Sequence, residues 1–539
     1  MNRSGDNYTS RGWIAVTALI AVLVGVGFIP PQTIGGVKLR RANILSDLIV
    51  FDEARAEEPV ETGIAEEEIL RIDIDSVAEC IAATAVSTAE ADPDAPQLTY
   101  AWRLLPDSVA FEREIPTPDS VCKSPALVPI EDFSGERGRM QAFYDTLLHA
   151  RRPVRIAFLG DSFVEGDILT ADLREELQRV YGGGGTGFAP MASPLTAFRR
   201  SVKTQSKGWT AYNIMQRKNV PEAMRSQFYL SGWLCQASEG ASTSWSATDF
   251  RDRIADCREA RILFVSPSES RVEVTLNDTL CQTFTVSGDR AVRQIVVTAP
   301  SVQQLAFRVA ESDGAFVGYG AVFDGGAGVS VDNYSIRSNN GRAIFWSSPS
   351  VDAQVDALLH YDLVVLQYGL NIMQQGVHRY TAYGEQLDQM IAFVRECFPG
   401  AAVLLLGVSD RSVKSENGFE PMDAVPSLTA CQREAAERAG AAFWPTCEAM
   451  QSWGGMAAFV ANGWAGKDYT HINYEGGRRI AWSLADALHA GVKELCERIE
   501  AERRLQMQQE NVFDSLQYRR IGEQLLPELT PNGLGRELD

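Results

Sequence analysis

Four short stretches of the chain carry side chains that together suit one kind of chemistry. Gly160-Asp161-Ser162 supplies a hydroxyl, Ser338-Asn339-Asn340-Gly341 a glycine backbone, Gly369-Leu370-Asn371 an amide, and Asp468-Tyr469-Thr470-His471 a carboxylate and an imidazole. Acyl transfer by a serine needs that set. A histidine takes the hydroxyl proton, and an aspartate holds the imidazole tautomer and stabilises the imidazolium. N–H donors stabilise the oxyanion. The expected roles are Ser162 as nucleophile, His471 as base and Asp468 as its partner, with Asn371 and the backbone N–H groups of Ser162 and Gly341 facing the oxyanion. A second glycine, Gly187, competes with Gly341. It follows the first helix of the pattern, which puts it at the opposite edge of the sheet. Each motif alone is weak: a GDS tripeptide is often only a turn, a GxN is commoner, and DxxH can be a helix cap before a surface histidine. Their order, and their placement after successive strands, carry the case.

The elements that must position these groups are legible as alternating runs. Val154 to Gly160 (VRIAFLG) is a short apolar strand, and Ile168 to Tyr181 has helical spacing. The reading puts Ser162 where that strand turns into that helix, whose N-terminus favours nearby negative charge. Val329 to Ile336, Leu363 to Gly369, Ala402 to Ser409 and Ala441 to Thr446 read as further strands. Helical segments are expected from about Met140 and over Val351 to His360, Glu385 to Cys397, Leu428 to Ala439 and Asn473 to Glu497. Strands alternating with helices imply a parallel sheet covered on both faces, with the site at the carboxyl ends of its strands. Five such strands are countable. Residues 201–327 differ: alternating runs such as RVEVTLND and RQIVVTAP, punctuated by Gly, Ser, Asn and Asp, suggest an inserted all-β sandwich.

The Gly160-Asp161-Ser162 turn, the Gly369-x-Asn371 turn and the Asp468-x-x-His471 tail resemble the SGNH (GDSL-type) hydrolases. There Ser, Gly, Asn and His come from separate blocks in this order. The resemblance implies an α/β, flavodoxin-like, three-layer SGNH fold over 130–200 and 328–500. The β-rich insertion resembles the carbohydrate-binding-like module that bacterial peptidoglycan O-acetylesterases carry after the first block. Two departures stand out. Phe163 follows the serine in place of Leu, and Ile372 follows Asn371 where many members have Asp.

Other candidates have plainer readings. His149, His360 and His489 lie in helical segments and His378 in a loop. With no Cys or carboxylate cluster at ligand spacing, neither metal nor cofactor is expected. Gly182 to Gly185 lack the lysine and hydroxyl of a phosphate loop and follow a helix, so they read as a helix stop. Trp209, Tyr212, Trp233 and Trp245 fit a sugar platform or a sandwich core equally well. Arg337, beside the second strand's end, fits an anion contact or a solvated charge. The nine cysteines include no CxxC pair, and an odd count leaves at least one thiol free.

The 50 basic and 70 acidic side chains give a formal net charge of -20, which repels phosphate backbones and argues against nucleic acid as a partner. Residues 51–100 hold 14 acidic residues and 2 arginines, more than half of that excess, and 42–125 read as an acidic stalk with some local structure. Trp13 to Ile29 is uncharged and apolar, long enough to span a bilayer and without a clear small-x-small cleavage site. The expected organisation is a tail at 1–12, an anchor at 13–29, the stalk, hydrolase segments at 130–200 and 328–500 around the insertion, and a C-terminal tail at 501–539. It implies a single-pass inner-membrane protein with its body in the periplasm. The expected activity is removal of acetyl esters from a cell-envelope polysaccharide. The rivals are O-acetyl transfer to such a glycan, a lipase or thioesterase, and a non-catalytic sugar-binding protein.

Overall fold

Strand β1 (Pro153–Gly160) is buried at all eight positions, as a run of PVRIAFLG must be when a sheet is covered on both faces. In this computed structural model the described residues are 97–105 and 122–525, apart from 136–137, 150, 314 and 417, together with 33–34 and 37–38. The last two pairs form a small antiparallel ladder within a separate N-terminal unit, 1–62. The expected anchor, 13–29, lies outside the described residues. Among those described, no helix is long and apolar enough to cross a membrane.

The α/β half is built on β1 with β2 (Gly328–Ser335), β3 (Tyr361–Gln367), β4 (Ala402–Leu406) and β5 (Ala442–Trp444). The strand order is β2-β1-β3-β4-β5, and every neighbouring pair is parallel. A sixth strand, Glu131–Asp132, runs antiparallel on β5; two residues are too few to show a pattern in sequence. Helices α1 (Arg139–His149), α2 (Thr170–Tyr181) and α6 (Tyr474–Leu525) pack together on one face, and α3 (Pro349–Leu359), α4 (Thr381–Cys397) and α5 (Ala424–Ala439) on the other. The chain moves from β1 outward to β2 and then returns to β3 on the far side. That reversal opens a crevice between the carboxyl ends of β1 and β3.

Two helices start earlier than their periodicity suggests. Pro426 in the first turn of α5 reads as a breaker, but a first-turn proline lacks only a donor that would be unpaired anyway. Gly384 interrupts the pattern of α4 in the same way. Helix α6 runs 52 residues, well into the expected tail. Residues 501–509 are all exposed, so strong helix formers without Gly or Pro, not packing, sustain this part.

The β-rich block forms one ten-stranded hydrogen-bonded sheet. It takes in two strands from outside 201–327: Thr99–Arg103, from the expected stalk, and Gly187–Pro190. The 15-residue strand Trp233–Ala247 carries hydrogen bonds round a corner, pairing Cys235 and Gln236 with Val317–Asp324 and residues 242–246 with Gln304–Glu311. The edge strands Thr99–Arg103 and Leu280–Val286 are seven steps apart, about 34 Å in a flat sheet. Yet the Tyr100 and Phe284 rings lie 6.3 Å apart, and the Ser287 N–H donates to the Tyr100 hydroxyl at 2.8 Å. The sheet therefore doubles back on itself, and its inner faces enclose Phe264, Phe307 and Phe316. Trp233 and Trp245 are buried, and Trp209 and Tyr212 are half-buried, so none of the four stands out as an open platform.

Candidate active site

The turn after β1 carries Asp161 and Ser162. Asp161 is buried and accepts from the Phe163 N–H at 2.9 Å and from Asn371 Nδ2 at 3.1 Å. Burial pushes its carboxyl up to about 7, against the Phe163 and Asn371 bonds and the His471 charge, which act the other way. Ser162 is half-buried at the rim. Among the described residues, neither its hydroxyl nor its backbone N–H makes a hydrogen bond. The expected strand-to-helix turn is not what holds it. Helix α2 begins only at Thr170, after the short 3-10 turn Glu165–Asp167, so the dipole of α2 does not act on the serine.

That intervening turn is held from below. Gly166 and Asp167 are both left-handed, at φ 65 and 68. Asp167, fully buried, accepts from Arg199 Nε at 2.9 Å, Thr170 Oγ1 at 2.9 Å, Asn333 Nδ2 at 3.0 Å and Arg174 at 3.3 Å. Burial alone would raise its pKa, but Arg199 and Arg174 hold it well below the usual carboxylate range. These positioning residues were not foreseen. The available signal was Asp332-Asn333, a carboxylate and an amide side by side inside a largely buried strand.

Asn371 gathers three turns. Its Nδ2 donates to Asp161 after β1 and to the Asn339 carbonyl, at 3.0 Å, after β2. Both of its amide hydrogens are thus committed in this arrangement. Gly341 is left-handed at φ 98 and buried, and its N–H donates to Asn339 Oδ1 at 2.9 Å. A role for that N–H at an oxyanion requires the bond to be exchanged for one to the substrate. Gly187 sits in the β-rich sheet, where an added Cβ would lie 2.3 Å from the Val331 carbonyl, away from the rim. Arg337 is bonded to Glu165 of the 3-10 turn and is largely exposed.

The last group stands just before α6. His471 Nδ1 lies 2.6 Å from Asp468 Oδ2, and Asp468 Oδ1 accepts from the Thr470 and His471 N–H groups, each at 3.1 Å. Burial works to raise the Asp468 pKa, but these bonds outweigh it and hold the carboxyl below its ordinary value. An ionised carboxylate only accepts, so Nδ1 carries the proton and Nε2 is left as the base. A protonated His471 favours the ionised form of Asp161, the residue before Ser162. Helix α6 secures this proximity: Tyr474 donates to the Gly166 carbonyl at 2.7 Å, and Gly477 packs directly on the Ile168 carbonyl. Among the described residues, no hydrogen bond joins Ser162 to His471. Among the described residues, no group of three or more His, Cys, Asp or Glu is arranged to hold a metal ion.

A 2-1-3-4-5 parallel sheet with Ser, Asn and Asp–His groups on its carboxyl rim is the arrangement that the motifs' resemblance implies. The solved structure of a peptidoglycan O-acetylesterase is similar, with a TM-score of 0.55 and 22% identity over 68% of this chain and 99% of that one. An acetyl xylan esterase (TM-score 0.23, 15% identity, 30% of this chain and 81% of that one) aligns more weakly. So does a family two carbohydrate esterase from Cellvibrio japonicus (TM-score 0.23, 9% identity, 54% and 98%). No family model and no curated protein matches the sequence.

Proposed function

We propose that the chain is a serine esterase of the SGNH type that removes O-acetyl groups from a cell-envelope polysaccharide, peptidoglycan being the favoured substrate. The observation that carries the chemistry is the 2.6 Å Asp468–His471 pair on the rim that also presents an unbonded Ser162. In this reading Ser162 Oγ attacks the acetyl carbonyl while His471 Nε2 takes its proton. The Ser162 N–H receives the oxyanion, joined by Asn371 and by a backbone N–H of the 338–341 turn, with Gly341 the sequence's choice, as these exchange their bonds to Asp161 and Asn339 for bonds to the substrate. His471 then protonates the departing sugar oxygen, and water releases acetate from the acyl-serine by the same steps. The glycan substrate is supported by the fold shared with a peptidoglycan O-acetylesterase and by the β-rich module beside the site. The apolar 13–29 segment supports a body tethered to the inner membrane and facing the periplasm.

The test is acetate release from O-acetylated peptidoglycan by the full chain and by Ser162→Ala. The substitution should lower turnover by about 10⁴ or more, as loss of a triad nucleophile does. A variant with wild-type turnover overturns the mechanism, and an active enzyme that leaves the glycan's acetate in place overturns the substrate.

A further inference from the structure

The β-hairpin Ser412–Ser415 and Gly418–Pro421 follows β4, so it rises from the same rim as the site. All four residues of its second strand are exposed. Its base is closed by the Met422 N–H donating to the Arg411 carbonyl at 2.9 Å, and Ser412 N–H donates to the Tyr469 carbonyl at 3.1 Å. Tyr469 stands between Asp468 and His471 and is left-handed at φ 54, a conformation unfavourable for a residue with a Cβ. Its ring lies flat on that of Phe419, with centroids 3.7 Å apart and planes at 11°. Phe419 remains 42% exposed, a large apolar ring on an arm whose Lys414, Glu416 and Glu420 all face solvent.

We propose that Phe419, stacked on Tyr469, is a sugar subsite on the leaving-group side of the active site and takes the apolar face of the pyranose ring that bears the ester. The inference rests on the serine-esterase reading and adds to it. His471 must hand its proton to the departing oxygen, so the alcohol part of the substrate lies on the His471 side. The acyl oxygen lies on the side of the Ser162 N–H and Asn371. Tyr469, on the loop that carries His471, holds the Phe419 ring of the hairpin on that side. A pyranose offers one face of C–H bonds and a rim of hydroxyls, which suits a single exposed ring bordered by charged side chains. A lipid chain would need an enclosed apolar groove, and a hairpin exposed along its whole second strand does not provide one.

Two measurements test this. The first is calorimetric binding of chitotetraose to the full chain carrying Ser162→Ala, which removes turnover. Adding Phe419→Ala should weaken binding roughly three- to tenfold, as loss of one good ring contact does, and Phe419→Trp should retain it. Equal affinity in the Ala and Phe forms overturns the subsite. The second is the ratio of kcat/KM on O-acetylated chitotetraose to that on ethyl acetate, whose alcohol is too small to reach the ring. Phe419→Ala should lower that ratio by a similar factor, whereas equal losses on both esters overturn the subsite in favour of a merely supporting role. If the unsubstituted protein releases no acetate from either ester, the esterase reading fails, and the binding measurement still decides whether Phe419 holds a sugar.

Discussion

Asp468 divides its two oxygens between jobs: Oδ1 folds the loop by accepting two backbone N–H groups, and Oδ2 holds the imidazole. In the proposed mechanism the carboxylate reaches the reaction only through His471. Loss of His471 should therefore cost several orders of magnitude in turnover, and adding Asp468→Ala to His471→Ala should cost little more, because members of such a unit are non-additive. Multiplicative losses in steady-state kinetics would separate the two. The Asp468-x-x-His471 spacing was readable because both groups sit in one loop. The commitment of the Gly341 N–H to Asn339 was not, since it depends on a φ of 98. That angle also rules out proline there as a clean way of deleting the donor, because proline holds φ near about -65°.

Among the elements, the start of α6 packs on the segment that follows Ser162, through Tyr474 on the Gly166 carbonyl and Gly477 on the Ile168 carbonyl. An added Cβ at Gly477 would lie 1.9 Å from the Ile168 carbonyl oxygen, a backbone atom that no rotamer change can move. Gly477→Ala should lower stability by about 1–3 kcal/mol, as overpacking does, and should also lower turnover because His471 is displaced. Gly491 provides the control: its Cβ would meet the Tyr144 ring on the same helix but away from the rim. There Ala should lower stability in urea melts while sparing turnover. Wild-type stability and activity in Gly477→Ala would show that α6 is not what sets the distance. The strands of the parallel sheet were legible because each is a continuous apolar run. The exposed stretch 501–509 of α6 was not, because helicity without a buried face leaves no apolar stripe to read.

At the scale of the molecule, buried polar groups join the β-rich region to the α/β half. Arg155 of β1 donates to Asp324 of the β-rich sheet at 2.6 Å and to Asp332 of β2 at 3.2 Å. Asp352 of α3 accepts from the Leu230 N–H at 2.9 Å and from Ser347 Oγ at 2.6 Å. Burial pushes the Asp352 carboxyl up from 3.8 to about 7, against the bonds from Ser347 and Leu230. A raised carboxyl pKa means that the folded state binds the proton more tightly than the unfolded one. Its stabilising contribution is complete below the unfolded value and is lost as pH rises through the folded one. Relative to Asp352→Asn, the native protein should lose Tm steadily from about pH 4 to pH 7 and then hold a constant difference. Thermal melts across that range check this, and a difference that does not change with pH would show that the carboxyl titrates normally.

By itself, the sequence determined the alternation of strands and helices and the order of the Ser, Asn and Asp–His blocks. Both are local: apolar runs and periodic stripes dictate burial, and a motif within a few residues needs no partner from elsewhere. Tertiary structure alone decided that Asn371 would tie the turns after β1 and β2 together and that Asp167 would be gripped by Arg199 and Asn333. It also decided that strands from 99–103 and 187–190 would complete the β-rich sheet. These are pairings between residues distant in the chain, formed because buried polar groups and strand edges must find partners wherever the fold brings them.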